Sequence, residues 1–185
     1  MNAVIPPPLR DYFERSHIAL SLAAAGEDNP LLLVNRVFLD LTGYDEGEMV
    51  GHNCRLLQRD VDNAEARQRL REFLASERQA SVRTPIVNFR KDGRPFVNLL
   101  YMSKLRRADG SVEYIFASQF DVSRSQPDLL SAYDVDLGQA IHRLSPALAE
   151  AGMVLEGSLT TIANTAATVA QAKLTLSQLD SVSFP

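Results

Sequence analysis

The chain has 185 residues, enough for one domain with extensions, and its hydrophobic content of 45% and charged content of 23% are ordinary for a soluble globular protein. A net charge of -4 and a pI near 5.4 disfavour non-specific binding to nucleic acid or to an anionic membrane. The sequence has no apolar run of the roughly 18 residues that a membrane-spanning helix needs, and no basic region followed by an apolar stretch at its start, so neither a membrane span nor a secretory signal is expected.

Residues 1–16 are predicted to form a helical cap. Leu9, Tyr12 and Phe13 recur at helical spacing directly after a run of three prolines. This spacing indicates a short amphipathic helix, whose apolar face favours contact with a second copy of the chain.

Two short strands, residues 18–23 and 31–34, are predicted next. Asn35 is a candidate cap for a helix over residues 37–41, which Gly43 could end because glycine readily adopts the left-handed conformation. A strand pair followed by a short helix is therefore expected.

Helical signals continue as far as Ser76. Asp45 starts a further short turn of helix, which Gly51 stops. Asp62 or Asn63 is predicted to cap a longer helix, because a run of apolar residues follows on a single helical face. That face carries Ala66, Leu70, Phe73 and Leu74.

Three strands follow, joined by two turn signals. The strands at 85–90 and 95–105 flank Lys91-Asp92-Gly93-Arg94, and the strand at 112–122 follows Ala108-Asp109-Gly110-Ser111. Aspartate–glycine pairs between such runs are strong hairpin signals. The element order predicts an α+β fold, in which helices cover one face of a five-stranded antiparallel sheet and leave a pocket between.

The only cysteine of the chain, Cys54, lies in the run Gly51-His52-Asn53-Cys54-Arg55-Leu56-Leu57-Gln58. One cysteine cannot form an intramolecular disulfide, so the thiol is inert, reactive or paired between chains. A reducing cytoplasm is the simplest setting for it. A single buried cysteine is most often a small hydrophobic residue, and only its flanking residues argue otherwise.

This run resembles the G-x-N-C-R-F-L-Q signature of LOV (light, oxygen, voltage) domains, flavin-binding members of the PAS superfamily, with Leu56 where phenylalanine is usual. The resemblance covers roughly residues 17–124, the LOV/PAS core, and leaves 125–185 as a helical C-terminal extension. It implies a short bacterial blue-light photoreceptor with a PAS/LOV fold. In that family the excited flavin takes the thiol proton at N5, the sulfur bonds to carbon C4a, and this adduct breaks again in the dark. That role would fall to Cys54.

Two asparagines in the predicted hairpin are candidate partners for the flavin ring. A three-residue loop at 92–94 would place Asn88 opposite Asn98 on one face of the sheet. Asparagine is depleted in strands, so two facing carboxamides in apolar strands ask for a shared polar partner. A solvent-facing polar pair is the alternative. The hairpin resembles the family run N-Y-x-K-x-G…F-x-N-L, which implies that both asparagines bind the ring.

The resemblance implies further ligands around the ring. Gln119 stands in the Q-[LF]-D ending of the last strand, where the family's glutamine contacts the N5/O4 edge and reorients when N5 is protonated. Asn53 and Gln58 are implied near the ribityl chain and phosphate. Leu100 replaces a frequent phenylalanine and shares its strand face with Asn98.

Guanidinium groups suit a phosphate because of their forked donors. Arg55 follows the cysteine, and Arg71 matches the family's second phosphate-binding arginine by ungapped spacing; Arg67, one helical turn earlier, is a weaker substitute, and solvated helix arginines are the alternative. Paired arginines favour FMN over riboflavin, although FAD could use them too. His17 and His52 lack metal-ligand spacing, so no metal site is predicted.

The extension at 125–185 reads as helical, with Pro127 in a first turn and Pro146 as a break. Beyond Pro146 an imperfect heptad stripe must be buried, on the core or against a partner helix. We expect a helical homodimer contact, with intramolecular packing as the alternative. The stripe consists of Leu148, Leu155, Leu159, Ile162, Ala166, Val169 and Leu176.

A photoreceptor without enzyme activity is expected, because the sequence shows no Gly-rich nucleotide-binding loop and too few residues after the core for a kinase domain. His142 is a weak phosphoacceptor candidate that an ordinary surface histidine explains. Alternatives are a flavin redox sensor, a light-independent PAS dimerisation module, and a fragment of a signalling histidine kinase. Light would shift helix docking or dimer packing through Gln119 and so act on an unidentified protein partner, with no nucleic acid or membrane involved.

Overall fold

A computed structural model describes residues 5–124, residue 129 and residues 147–181, and in the last segment it describes the side chains of residues 159–179. The predictions for Pro127, Pro146 and His142 lie outside the described residues. So do the side chains of Leu148 and Leu155.

A five-stranded antiparallel sheet is the centre of the fold, with the strand order β2-β1-β5-β4-β3. The strands are β1 (Ala19–Ala24), β2 (Leu31–Val34), β3 (Ser81–Phe89), β4 (Pro95–Arg106) and β5 (Val112–Asp121). Strand β3 begins at Ser81 and includes Pro85, so the start expected at residue 85 was too late. Because β3 is an edge strand, the missing N–H of Pro85 is tolerated there.

Five helices and one 3₁₀ helix accompany the sheet in the described residues. They are α1 (Pro7–Arg15), α2 (Arg36–Thr42), α3 (Glu46–Met49), the 3₁₀ helix (Cys54–Gln58), α4 (Ala64–Ala75) and α5 (Ala147–Ser181). The predicted cap and stop residues of α2 are confirmed, since Asn35 Oδ1 accepts a hydrogen bond from the Phe38 N–H at 3.0 Å and Gly43 ends the helix with φ 76°. The helix itself is one residue longer at each end than predicted.

The start of α4 separates the two residues that the sequence offered as caps. Asp62 Oδ1 accepts from the Ala64 N–H at 3.0 Å, whereas Asn63 turns its side chain to the sheet. Asn63 Nδ2 donates to the Val87 carbonyl at 2.9 Å, and the Val87 N–H donates to Asn63 Oδ1 at 3.1 Å. This bond pair fixes the start of α4 against β3.

The β3–β4 register differs from the predicted one by two residues. Asn88 lies opposite Phe96, and Asn98 lies opposite Ile86. The turn explains the error: the Arg90 N–H donates to the Arg94 carbonyl at 2.9 Å, and Gly93 takes a positive φ of 93°, so the loop is 91–93 and not 92–94. The two carboxamides are therefore diagonal neighbours.

Both faces of the sheet are covered. On one face α2, α3, α4 and the 3₁₀ helix contribute Phe38, Met49, Leu57 and Phe73 to a core over the sheet. On the opposite face α1 and α5 pack together on a second core, which includes Leu9, Phe13, Leu20, Leu22, Phe116, Ala170 and Leu174. The α+β prediction of a five-stranded antiparallel sheet with flanking helices is confirmed.

Helix α5 buries a stripe that shares Ala166 with the predicted one but differs from it at other positions. Ala163, Ala166, Ala170 and Leu174 face the sheet and α1, whereas Ile162 is 43% exposed and Leu176 is 55% exposed. Intramolecular packing therefore accounts for this face of the helix. The stripe predicted from the larger residues was wrong at Ile162 and Leu176 within this chain.

Polar side chains also fasten α5 to the sheet. Gln171 accepts from the Arg106 N–H at 2.8 Å and donates to the Arg106 carbonyl at 2.9 Å. Tyr101 and Thr160 share a hydroxyl–hydroxyl hydrogen bond of 2.8 Å.

None of the helices in the described part of the chain is long and apolar enough to cross a bilayer.

Candidate functional site

The cysteine loop is built on the start of β2. The Gly51 N–H donates to the Leu31 carbonyl at 2.8 Å, and the Leu31 N–H donates to the His52 carbonyl at 2.9 Å. Asn53 then caps the 3₁₀ helix, because its Oδ1 accepts from the Arg55 N–H at 2.8 Å. These local bonds place Cys54 at the first position of the helix, between the helical layer and the sheet.

Cys54 lines a cavity between this layer and the sheet. The cavity has a volume of about 120 Å³, which is smaller than the roughly 300–1,000 Å³ of typical ligand sites, so its walls would have to move apart to admit a ligand of ordinary size. All the predicted site residues except Arg71 line it: Asn53, Cys54, Arg55, Gln58, Asn88, Asn98, Leu100 and Gln119.

A buried carboxamide cluster forms the polar part of the wall. Asn98 Nδ2 donates to Asn88 Oδ1 at 2.9 Å and to Gln119 Oε1 at 3.2 Å. All three residues are buried: Asn98 is 1% exposed, Asn88 is 4% exposed and Gln119 is 2% exposed. Gln119 Nε2 in turn donates to Ser21 Oγ on β1 at 3.1 Å. Strands β1, β3, β4 and β5 thus contribute to one polar chain.

One atom of this cluster indicates a missing partner. Asn98 Oδ1 is buried and has no hydrogen-bond partner among the described residues. A buried acceptor left unpaired costs roughly 1–3 kcal/mol, and such groups are rare in folded proteins. Asn98 lines the cavity, so a ligand with a hydrogen-bond donor would satisfy this oxygen.

The rest of the cavity wall is largely apolar, formed by Ala23, Leu31, Leu70, Leu74, Ile86, Leu100, Met102 and Ile115. A planar ring with a polar edge and an apolar end matches such a wall, because each part meets groups of its own kind. The residues therefore fit the flavin that the sequence resemblance implies.

Burial raises the pKa of the Cys54 thiol to about 12, because the thiolate would lose its hydration among apolar neighbours. The side chain packs with the apolar cluster under the helices. Cys54 is therefore a protonated thiol at neutral pH. It can deliver a proton together with its sulfur, but it is not a preformed thiolate nucleophile.

The three candidate arginines differ in how they relate to the mouth of the cavity. Arg55 forms an ion pair with Asp28, and its side chain is largely exposed. Gln58 Oε1 accepts from Arg67 Nε at 2.8 Å, so Arg67 bonds directly to a residue of the cavity wall. Arg71 lies outside that wall, and its guanidinium donates to Gln68 Oε1 at 3.0 Å.

The reasoning from sequence undervalued one residue that contacts the site and missed another. Arg67 was considered only as a substitute, since spacing alone could not show its bond to Gln58. Ser21 was missed entirely, because the residue that it contacts is 98 positions away. The available signal was the period of two in β1, which puts Ser21 on the same face as the cavity residue Ala23.

Comparisons with known proteins agree with this geometry. Residues 22–124 match the family model described as PAS domain. The chain is 43% identical over 133 residues to blue-light-activated histidine kinase 1 of Erythrobacter litoralis, covering 66% of this chain and 36% of that protein. It is 38% identical over 112 residues to a blue-light-activated histidine kinase of Rhizobium johnstonii, covering 60% and 32%.

Solved structures of LOV domains are similar as well. The LOV domain of an Erythrobacter litoralis blue-light-activated histidine kinase is 35% identical with a TM-score of 0.53, over 58% of this chain and 98% of that one. The Rhodobacter sphaeroides LOV protein is 28% identical with a TM-score of 0.60, over 95% and 96%. The second likeness extends over the flanking helices.

The expectation that the protein is not an enzyme was wrong. The relatives named above are histidine kinases, and the chain spans about a third of their length. A sensor core of this kind therefore occurs in enzymes.

The family is established by two findings together. More than half of the chain matches the PAS model, and the chain covers nearly all of a LOV domain to which it is 35% identical. The cavity, the cysteine loop and the carboxamide cluster lie within the matched residues. This chain belongs to the PAS domain family and is, within it, a LOV domain related to blue-light photoreceptors.

Proposed function

We propose that this chain is a blue-light photoreceptor that holds a flavin in the cavity and signals through a reversible bond between Cys54 Sγ and the flavin carbon C4a. The observation that carries the proposal is that the only cysteine of the chain shares one cavity with a buried carboxamide cluster, in which Asn98 Oδ1 is unpartnered.

The flavin, when bound, supplies the absorption of blue light and an electrophilic ring carbon next to a basic nitrogen. If the flavin is bound, the addition would break the S–H bond of Cys54 and the double bond between C4a and N5. N5 would take the proton and C4a the sulfur, so no outside reductant would be consumed. The high pKa of the thiol supports this role, because the proton is still present when light arrives. Asn88, Asn98 and Gln119 orient the ring edge through their paired amides.

FMN is the proposed flavin. Arg55 and Gln58 line the mouth of the cavity, and Arg67 bonds to Gln58, so cationic and amide donors gather where a phosphate would lie. Asn53 caps the 3₁₀ helix that carries Arg55 and Gln58, and the ribityl chain is proposed to lie near it. Arg71, proposed from family spacing, would have to leave Gln68 to reach the phosphate.

The output is proposed to pass through the two terminal helices. Strand β5 carries Gln119 on the cavity face and Phe116 on the opposite face, where Phe116 packs against α1 and α5. A change at Gln119 can bias helix docking only by the difference in its interaction energy between two states. We further propose that the protein acts as a homodimer on an unidentified downstream protein in the reducing cytoplasm. Its domain limits are proposed as a core at 17–124 with extensions at 1–16 and 125–185.

The test is an absorption spectrum of the purified, flavin-loaded protein before and after blue light, followed through dark recovery. Reversible bleaching of the flavin band in the wild type and its loss in Cys54→Ala, with the flavin still bound, would support the proposal. Met102, the other sulfur-containing residue that lines the cavity, offers a matched control: Met102→Leu should still bleach and recover. A protein that takes up no flavin would sink the photoreceptor reading.

Two other functions remain distinguishable. A flavin redox sensor would keep its light response in Cys54→Ala, as reduction of the flavin without the sulfur bond. The names of the relatives favour the light-sensing region of a histidine kinase. Replacing the matched region of the Erythrobacter kinase with residues 17–124 and measuring phosphorylation from ATP in dark and light tests this second candidate.

A further inference from the structure

We propose that Ser21 is a positioning residue for Gln119: its hydroxyl holds the amide in the dark and remains a partner when the amide turns after illumination. This inference rests on the proposed function, because it concerns how the amide next to the flavin site changes its bonding.

The pairing of β1 with β5 brings Ser21 next to Gln119. Ala19 is opposite Gln119 and Ser21 is opposite Ala117, so Ser21 and Gln119 are diagonal neighbours. Diagonal pairs are roughly 7–8 Å apart at the backbone, within reach of a long side chain. Gln119 Nε2 donates to Ser21 Oγ at 3.1 Å, and both residues are buried.

The two partners of the Gln119 amide differ in what they can exchange. Asn98 presents Nδ2, which only donates, to Gln119 Oε1. Ser21 presents a hydroxyl, which accepts from Nε2 in this orientation and can donate to Oε1 if the amide turns by 180°. Asn98 is thus matched to one orientation of the amide, whereas Ser21 is matched to both.

A donor that appears beside Gln119 favours the turned orientation. Passage of the Cys54 proton to the ring converts an acceptor there into a donor, which repels Nε2 and attracts Oε1. The ring N–H would occupy one lone pair of the turned Oε1, and because the site is buried the second lone pair would be left unsatisfied unless the protein supplied a donor. Ser21 supplies that donor without moving strand β1.

The hydroxyl therefore predicts a spectroscopic signature that a packing role would not produce. In light-minus-dark infrared difference spectra, the carbonyl band of Gln119 reports the hydrogen bonding of Oε1. Ser21→Ala should raise the wavenumber of the light-state band, because Oε1 loses one of its two donors. The dark-state band should stay in place, because Oε1 still accepts from Asn98. Carbon-13 labelling of glutamine and loss of the bands in Gln119→Leu would assign them.

Matched variants separate the hydroxyl from the shape of the side chain. Ser21→Thr keeps the hydroxyl and should keep the wild-type light-state band. Ser21→Val has the shape of the threonine variant without the hydroxyl and should shift the band as Ser21→Ala does. The threonine and valine variants also test the inference if the alanine variant fails to fold. Ser118→Ala is the control, since Ser118 is an equally buried serine on the opposite face of β5 and has no partner for its Oγ among the described residues.

Each outcome decides the inference. A light-state band that moves in Ser21→Val and Ser21→Ala but not in Ser21→Thr or Ser118→Ala supports it. Identical light-state bands in Ser21→Val and Ser21→Thr overturn it. A wild type that shows no bleaching at all overturns the proposed function itself, so the two failures are distinguishable.

Discussion

Asn35 connects three elements with one side chain, and its removal should be costly. Its Oδ1 accepts from the Phe38 N–H in the first turn of α2 and from the Leu20 N–H in β1, each at 3.0 Å. Its Nδ2 donates to the Ile18 carbonyl at 2.7 Å and to the Phe13 carbonyl at the end of α1 at 3.3 Å. The side chain is buried, so water is not at hand to replace these bonds.

The expected cost of Asn35→Ala follows from those contacts. Loss of a helix cap costs about 0.5–2 kcal/mol, and a buried N–H left without an acceptor costs about 1–3 kcal/mol. The free energy of unfolding should therefore fall by about 1.5–5 kcal/mol, a large share of the roughly 5–15 kcal/mol that holds a typical domain folded. The bond to Phe13 adds a local effect, since the end of α1 loses one of its anchors.

Urea unfolding of the flavin-free protein measures the first effect, with the midpoint lowered and the slope unchanged. Hydrogen exchange measures the second, as lower protection of the α1 amides. Asn164→Ala is the matched control, because Asn164 is exposed on α5 and its loss should change stability by less than about 0.5 kcal/mol. A loss below about 1 kcal/mol in Asn35→Ala would refute the reasoning, since it would mean that the unpaired groups find other partners.

Leu174→Ala should lower the free energy of unfolding by about 2–5 kcal/mol by opening a cavity under α5, whereas Leu176→Ala, on the exposed face, should change it by less than about 0.5 kcal/mol; equal losses in urea unfolding would contradict the described docking face. Arg67→Ala should lower the flavin-to-protein absorbance ratio of the purified protein more than Arg71→Ala, because only Arg67 bonds to the cavity wall; the reverse order would restore the family-based assignment. The extent of bleaching should be constant as pH rises to about 9, because the Cys54 thiol stays protonated up to its folded pKa of about 12. A decline in bleaching between neutral pH and 9 would show a more acidic thiol. Since the folded pKa of Cys54 is raised, the contribution of this thiol to the free energy of unfolding is present below its unfolded pKa of about 8.5 and is lost as pH rises through about 12.

Local chemistry made much of the fold predictable. The cap at Asn35 and the stop at Gly43 depend on neighbouring residues alone, and both were found at the expected positions. The aspartate–glycine turn was equally visible, but its register was not. Placing the positive φ of Gly93 at the third loop position shifts every pair in β3–β4 by two residues relative to the prediction, and only the closed hairpin shows which choice is made.

The face of α5 that is buried was less predictable. A hydrophobic stripe is read from the sequence by its larger residues, which pointed to Ile162 and Leu176. Ala166 was part of that prediction and is buried, but the sheet and α1 also receive Ala163 and Ala170, which a search for large apolar residues does not select. Which face of a helix is buried depends on the surface that receives it, and that surface comes from strands far away in sequence.

By itself the sequence determined the strand and helix order, the cysteine loop and the residue types around it, because these depend on turn chemistry, periodicity and a local motif. Tertiary structure alone decided that Gln119 bonds to Ser21 and Asn98, that Arg67 and not Arg71 bonds to the cavity wall, and that Asn98 Oδ1 lacks a partner. These contacts join residues on different strands or elements. Their geometry exists only once the sheet has paired and the helices have packed on it, because these steps set which side chains meet.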